Sequence, residues 1–471
     1  MQMTDRRALA RQGSGFGPTT FGRRAPTPPG GSAAAPPAAS VKDSNPALLQ
    51  WVVIVTYAGL WAVSLADLPV VGRIEKPLAV LGIVAIPFAV NASRLVTTAL
   101  PPMVGVGLIG LLASYVTSYL VNPPSSNGDE FVLSLAGRVV FLWIGYVLLQ
   151  NRKLLRQAFW LLAMSSVAVA AFAVFILFRN GIGFGRTAGN DLPDLMGPLS
   201  LTLFGSVQTA TIGAVLLLGA TTTLAGGLRR WTPLAAFTIF AAAYLSFFRR
   251  EFLFTIPILL IVLQLTAAGT IAPAVLVRRA VVLTVALAAV FIWEYSRAES
   301  VLEMRMESGI GGFVSSDEAR ITTGLAQVYA IMERPLIGYG AGNHAEAIAP
   351  HAPPDEIYLA GFNIYGWLAV EGGLPCLVSY LLLLLGVWQQ TWRYRGVPGS
   401  SAEAVVLRCG PVLMLQIVLW GTFGNAWDVT LSWFVMGMIL AAARLVTVSD
   451  EARVTVPAVS VLRRGARWVR T

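Results

Sequence analysis

Residues 320–344 decide how the chain is read: Arg320-Ile-Thr-Thr-Gly-Leu-Ala-Gln-Val-Tyr-Ala-Ile-Met-Glu-Arg-Pro-Leu-Ile-Gly-Tyr-Gly-Ala-Gly-Asn-His344. They sit inside a polar stretch, Arg297 to Gly361, that carries four arginines and nine acids between long apolar runs. A polar insert of this length among apolar helices is where chemistry on a water-soluble group would be placed. Ser315-Ser316-Asp317 before Glu318 reads as a capped helix start. That helix runs toward Arg334 and stops before Pro335, because the residue before a proline is driven out of the helical region. Gly338, Gly340 and Gly342 then form a turn. Glu356–Val370 reads as a second helix, amphipathic and lying on the membrane surface.

Outward from this insert, nearly everything reads as membrane. Of the 471 residues, 56% are hydrophobic and 12% charged, with mean hydropathy +0.68. A soluble domain carries about 25% charged residues. Apolar runs of about 20 residues match the thickness of a bilayer when helical. Short alternating segments would be needed for a β-barrel instead. The chain is therefore expected to be all-α, a polytopic transmembrane bundle of about twelve spans. The spans fall near 48–66, 77–93, 102–121, 131–150, 158–178, 199–224, 232–248, 252–269, 280–296, 372–391, 405–422 and 430–447. Residues 1–46, rich in Pro, Gly, Ala and Ser, read as a disordered basic head. The transmembrane domain covers 47–448, with the 297–361 loop inserted between spans 9 and 10, and 449–471 is a basic tail.

Charge orients this bundle. The net charge is +10, and most of it lies on the two tails. The head carries six basic residues against two acids, and so does the C-terminal stretch from Arg444 onward. This is the positive-inside pattern of a membrane protein and argues against nucleic acid as a partner. The even-numbered connections are basic: Arg94; Arg152, Lys153 and Arg156; Arg229 and Arg230; Arg278 and Arg279; Arg393 and Arg395. The odd ones are acidic or balanced, apart from a mild exception at Arg73, Glu75 and Lys76. Both termini are thus expected in the cytoplasm and the large loop on the outer side of the membrane. Cys376 and Cys409 fall in different spans, near opposite ends, so no disulfide framework is implied. Two histidines and two distant cysteines make no metal cluster.

Arg249-Arg250-Glu251 breaks the charge rule sharply. It ends span 7 on the outer face, where an arginine that served only as an anchor would oppose the topology. A diphosphate would repay it, because guanidinium forks match phosphate oxygens. Arg138 lies seven residues into span 4, about 10 Å below its outer end. An intramembrane arginine marks either a functional site or a structural pair with an acid such as Glu371 or Glu251. Arg186, in the glycine-rich 181–189 loop, is a further phosphate ligand or a solvated loop residue. His344 and His351 are loop bases able to work near neutral pH. Asp355 and Glu356 are alternatives. The Gly338-Tyr-Gly-Ala-Gly342 run is no nucleotide loop, since no strand precedes it and no Lys-Ser/Thr follows.

The residues around Arg320, Pro335-Leu-Ile-Gly338-Tyr-Gly340-Ala-Gly342-Asn343, then Asn363-x-Tyr365 and Glu371-x-Gly373-Leu374, resemble the outer-loop region of the O-antigen ligase and polymerase family. Ser246-Phe-Phe-Arg249-Arg250 resembles the arginine-ended span of that family. The motifs cover about 244–252 and 318–376, and the hydropathy pattern covers nearly the whole chain. The resemblance implies glycosyl transfer at the outer face, with inversion and without metal or cofactor. The donor would be a glycan on a polyprenyl diphosphate, the acceptor a second glycan. Arg249, Arg250 and Arg320, joined by Arg138 and Arg186, would hold the diphosphate as charge develops on it. Membrane lipids and other polysaccharide-assembly proteins are the further partners. Where many members carry a histidine, this chain has Phe362, which takes no proton. His351 is the preferred catalytic base, reaching back across Pro353-Pro354; His344, Glu371 or another acid, or a reaction that needs no strong base, are the alternatives. The implied activity is polymerisation of lipid-linked repeats for exopolysaccharide, capsule or O-antigen. A ligase passing finished polymer to lipid A core is the near alternative, and a transporter or flippase the one from another class.

Overall fold

A computed structural model describes residues 47–65, 75–92, 96–126, 128–180, 211–220, 321–352, 363–397, 401–423 and 430–455. All regular structure among them is helical, without a strand. The helices are α1 (Ala47–Leu65), α2 (Glu75–Ala92), α3 (Pro102–Val121), α4 (Gly128–Leu148) and α5 (Arg152–Asn180). Next come α6 (Thr211–Ala220) and α7 (321–333). The short α8 (His344–Ile348), α9 (Ile364–Tyr394), α10 (Ala402–Phe423) and α11 (Thr430–Thr455) complete the set.

Five of these are long and apolar enough to cross a membrane: α3, α4, α9, and most of α10 and α11. Helix α3 shows why lipid is the solvent. Its buried stripe is Val104, Leu108, Leu111, Tyr115 and Ser118, alternating steps of four and three. The opposite face carries Val106, Ile109 and Leu120, each more than 60% exposed. A helix of a soluble protein would place polar groups there.

The core is built by α9 against α3 and by α11 against α4, with α10 closing the group. Both crossings bring backbones close, as small residues permit between membrane helices. A Cβ at Gly107 of α3 would stand 2.6 Å from the Leu383 nitrogen of α9. One at Gly437 of α11 would collide with the Leu142 carbonyl of α4.

The helix boundaries agree within three residues with the expected spans at 48–66, 77–93, 102–121, 131–150 and 405–422, while α5 begins six residues before 158–178 and α11 ends eight residues after 430–447. The 199–224 span is described only over 211–220; those at 232–248, 252–269 and 280–296 lie outside the described residues. Helix α7 ends before Pro335 as expected. One expectation is corrected. Residues 364–370 form a helical segment set off from the rest of the span by a kink at Gly373, but not one with an open polar face. They are the first turns of α9, and Ile364, Trp367, Leu368, Ala369 and Val370 are all buried. Phe131 of α4 takes the Trp367 indole edge-on at 5.3 Å, and the Tyr365 hydroxyl donates to the Val418 carbonyl of α10 at 3.0 Å. Packing on three sides overrides the amphipathic pattern.

Candidate functional site

Helix α9 is broken near its start, and the break is written in its residues. Pro375 has no N–H to offer the Glu371 carbonyl four residues back. Gly373 takes φ +76° and ψ 175°, outside the helical region and open to glycine because it lacks a Cβ. Backbone groups orphaned inside an apolar bundle must find other partners. Here the turn after α7 supplies them. Tyr339 N–H donates to the Val370 carbonyl at 2.9 Å, and Gly340 N–H to the Glu371 carbonyl at 3.0 Å. Leu374 N–H, which a continuous helix would point at Val370, donates to the Pro335 carbonyl at 2.7 Å. The Ser118 hydroxyl of α3 gives the Glu371 carbonyl a second donor at 2.5 Å.

The fit is reciprocal. Gly338 has φ +74°, and a Cβ there would meet the backbone of Glu371. A Cβ at Gly373 would stand 2.6 Å from the Leu336 carbonyl carbon. The same turn also docks on the α3–α4 connection. Asn343 Nδ2 donates to the Pro123 carbonyl at 3.0 Å and to that of Tyr339 at 2.8 Å. Arg334 lies over the Tyr339 ring at 4.5 Å and donates to Asn122 Oδ1 at 3.0 Å. The two motif segments, Pro335–Asn343 and Asn363–Leu374, thus form one clasp at one end of the bundle.

The clasp encloses the Glu371 side chain, which is 1% exposed. The Tyr115 hydroxyl of α3 donates to its Oε2 at 2.5 Å. Its Oε1 closes no hydrogen bond among the described residues, although the backbone of Gly342 and His344 and the Trp367 indole face the carboxyl group. Arg138, buried in α4, lies within electrostatic reach of the Tyr115 and Tyr380 hydroxyls.

His344 sits beside this carboxyl, 4% exposed. Its Nε2 is 2.9 Å from the Gln327 amide nitrogen of α7, and Trp367 stands edge-on at 6.1 Å. Burial pulls its pKa down to about 4, so the ring is neutral near pH 7. An imidazole that accepts from Gln327 at Nε2 carries its proton on Nδ1. His351 occupies a different place, a 3-10 turn over Ala349–His351. Its ring stacks on Tyr329 at 5.8 Å, and its Nε2 lies 3.3 Å from Glu333 Oε1. Glu333 also accepts from the Tyr339 hydroxyl at 2.5 Å. That hydrogen bond first, and the facing histidine second, hold the exposed carboxyl below its usual range.

Of the residues singled out from sequence, the structure gathers Glu371 and Arg138 around Tyr115, and puts His351 on the adjoining surface of the same segment. Arg249, Arg250, Arg320 and Arg186 lie outside the described residues, as do Asp355, Glu356 and Phe362. Tyr115, Ser118, Gln327 and Glu333 were not anticipated. Tyr115 carries a faint signal, as a hydroxyl on the buried stripe of an otherwise apolar span. Neither a known protein family nor a curated protein matches this chain.

Proposed function

We propose that the protein is a membrane glycosyltransferase that polymerises polyprenyl-diphosphate-linked oligosaccharide repeats at the outer face of a bacterial inner membrane. The observation that carries this reading is the clasp. The two segments that resemble the polymerase and ligase family close on one another around the Glu371 carboxyl, with His344 and His351 on the chain just after the first segment and buried Arg138 within electrostatic reach of Tyr115. In the proposed step an acceptor hydroxyl attacks the anomeric carbon from the face opposite the diphosphate. The bond from that carbon to the diphosphate oxygen breaks, and its electron pair leaves with the diphosphate. The hydroxyl proton passes to a base. His351 suits that role, since Glu333 faces Nε2 and leaves Nδ1 to accept a proton. Glu371, held by Tyr115 and walled in, suits positioning of the clasp. Arg249, Arg250, Arg320 and Arg186, joined by Arg138, take the diphosphate, as the topology and the resemblance suggest.

Lipid analysis of a deletion strain tests this. Single repeats left on the carrier at the outer leaflet are the expected result. Long chains left on the carrier would mean a ligase instead. A second reading has its own support: Glu371 and Arg138 are both buried within spans, where ionisable groups often mark proton or substrate pathways. Repeats trapped on the inner leaflet of the same strain would favour that transporter or flippase reading and overturn polymerisation.

A further inference from the structure

At the other end of the bundle α4, α9, α11 and the 97–101 connection surround a cavity of about 330 Å³. Thr97, Tyr146, Gln390, Arg444 and Thr447 line it, and the wall continues into apolar Leu100 and Leu440. Among the described residues no carboxylate lines it. Glu403, an acid at this end, is already paired with Arg152 at 3.4 Å. Gln390 stands nineteen residues after Glu371 on α9, about 28 Å along the axis at 1.5 Å per residue.

Most polar groups here are engaged with the protein. The Tyr146 hydroxyl donates to the Ala99 carbonyl at 2.9 Å. The Thr447 hydroxyl is occupied by Tyr394 and the Ala443 carbonyl. The connection itself is pinned: Thr97 N–H donates to Gln150 Oε1 at 2.8 Å, Gln150 Nε2 to the Thr97 carbonyl at 2.7 Å, and Trp143 Nε1 to the Thr98 carbonyl at 3.2 Å. The cavity is therefore preformed. Two groups stay open. Arg444 is half-buried, with its Nε enclosed, and closes no hydrogen bond or ion pair among the described residues. The Gln390 amide, also half-buried, is likewise uncommitted. A guanidinium that meets no carboxylate among the described residues, beside an amide, matches the oxygens of a phosphate.

The depth of the cavity indicates where that phosphate comes from. Trp388 and Trp392 stack at 6.1 Å on α9 just past Leu385, with Arg395 over the Trp392 ring at 3.9 Å. Tryptophan and arginine so placed mark a membrane–water boundary. Basic pockets between spans at that level bind anionic headgroups. We propose that Arg444 and Gln390 form a binding site for a phosphate-bearing anion, supplied by the headgroup of an anionic phospholipid. This site stands apart from the clasp and does not depend on glycosyl transfer.

Native mass spectrometry of the full chain tests it, with equimolar phosphatidylglycerol and phosphatidylcholine vesicles and, separately, inorganic phosphate with thermal melting. The expected result is preferential retention of phosphatidylglycerol. Arg444→Gln should reduce that preference about fivefold, the factor of one basic residue at an anionic surface. Arg444→Lys should keep most of the preference, and Gln390→Leu should weaken it with the arginine intact. Protection by inorganic phosphate without lipid preference, lost in Arg444→Gln, would support the anion site and assign it a soluble source. Equal retention of both lipids and no phosphate protection in the wild type would overturn the site. So would unchanged lipid preference in a folded Arg444→Gln.

Discussion

The two ends of α9 use polar groups in opposite ways. At Glu371 the helix is broken, and its freed carbonyls are met by backbone N–H groups of a turn more than thirty residues earlier. At Gln390 the helix is intact, and two side chains, Gln390 and Arg444, stand uncommitted among the described residues around a cavity. The first end spends its hydrogen bonds on shape; the second keeps them for something outside the chain. A network satisfied by backbone tolerates little change, because each donor has one geometry. A network of side chains tolerates more, and its failures show as altered binding rather than altered folding.

The largest break in that comparison should come from the facing glycines. Gly338→Ala or Gly373→Ala adds a left-handed alanine, at about 1–3 kcal/mol, and drives a Cβ into opposing backbone besides. Either variant should melt well below the wild type and lose hydrogen-exchange protection over 335–344. Unchanged melting of both would remove the clasp from the account of stability.

Acid should sharpen the same contrast. His344 titrates near 4 in the folded protein and near 6.5 unfolded. The native state thus binds fewer protons, so the contribution is complete above pH 6.5. It is lost as pH falls from 6.5 toward 4, by about 3 kcal/mol at most. His344→Gln should flatten that part of a stability profile taken by chemical denaturation. A mutant profile parallel to the wild type there would show that the buried imidazole is not responsible.

Tyr115→Phe should cost about 1–3 kcal/mol, because it leaves the buried Glu371 oxygen without its donor. Paired with Glu371→Gln in a double-mutant cycle, it should show coupling of more than about 0.5 kcal/mol. Additive losses would mean that the two groups do not act together. The smallest effect should be at Arg334→Ala, whose exposed contacts with Asn122 and Tyr339 are worth less than about 1 kcal/mol. A larger drop in melting temperature than for Tyr115→Phe would reverse the order of inside and rim.

Much of the helical framework was legible because apolar length is a local property. The expected 102–121 span and Pro102–Val121 coincide. The clasp was legible only in pieces. Gly338, Gly373 and Glu371 stood out as motif residues, but nothing local says that Gly338 lies against Glu371, since that contact crosses an intervening segment of chain. The start of α9 was misread for a related reason. Asn363, Gly366 and Glu371 make 363–371 look half-polar, yet Asn363 caps the helix through the N–H groups of Tyr365 and Gly366, and Glu371 is met by Tyr115. Polar residues whose partners lie on other helices imitate a surface. His351 was preferred to His344 only as the nearer of two loop histidines; burial against Gln327 and stacking on Tyr329 separate them.

The backbone exchange between Pro335–Gly340 and Val370–Leu374 has a consequence for inheritance. Neither stretch completes its hydrogen bonding alone, so the two form one unit of exchange although a helix and a connection lie between them. A chimera joined to a homologue anywhere between 344 and 363 would receive half a clasp from each parent. Crossover points before 321 or after 394 would transfer it whole. Recombinants sorted by where they were cut would trace the outline of the clasp without any residue being altered.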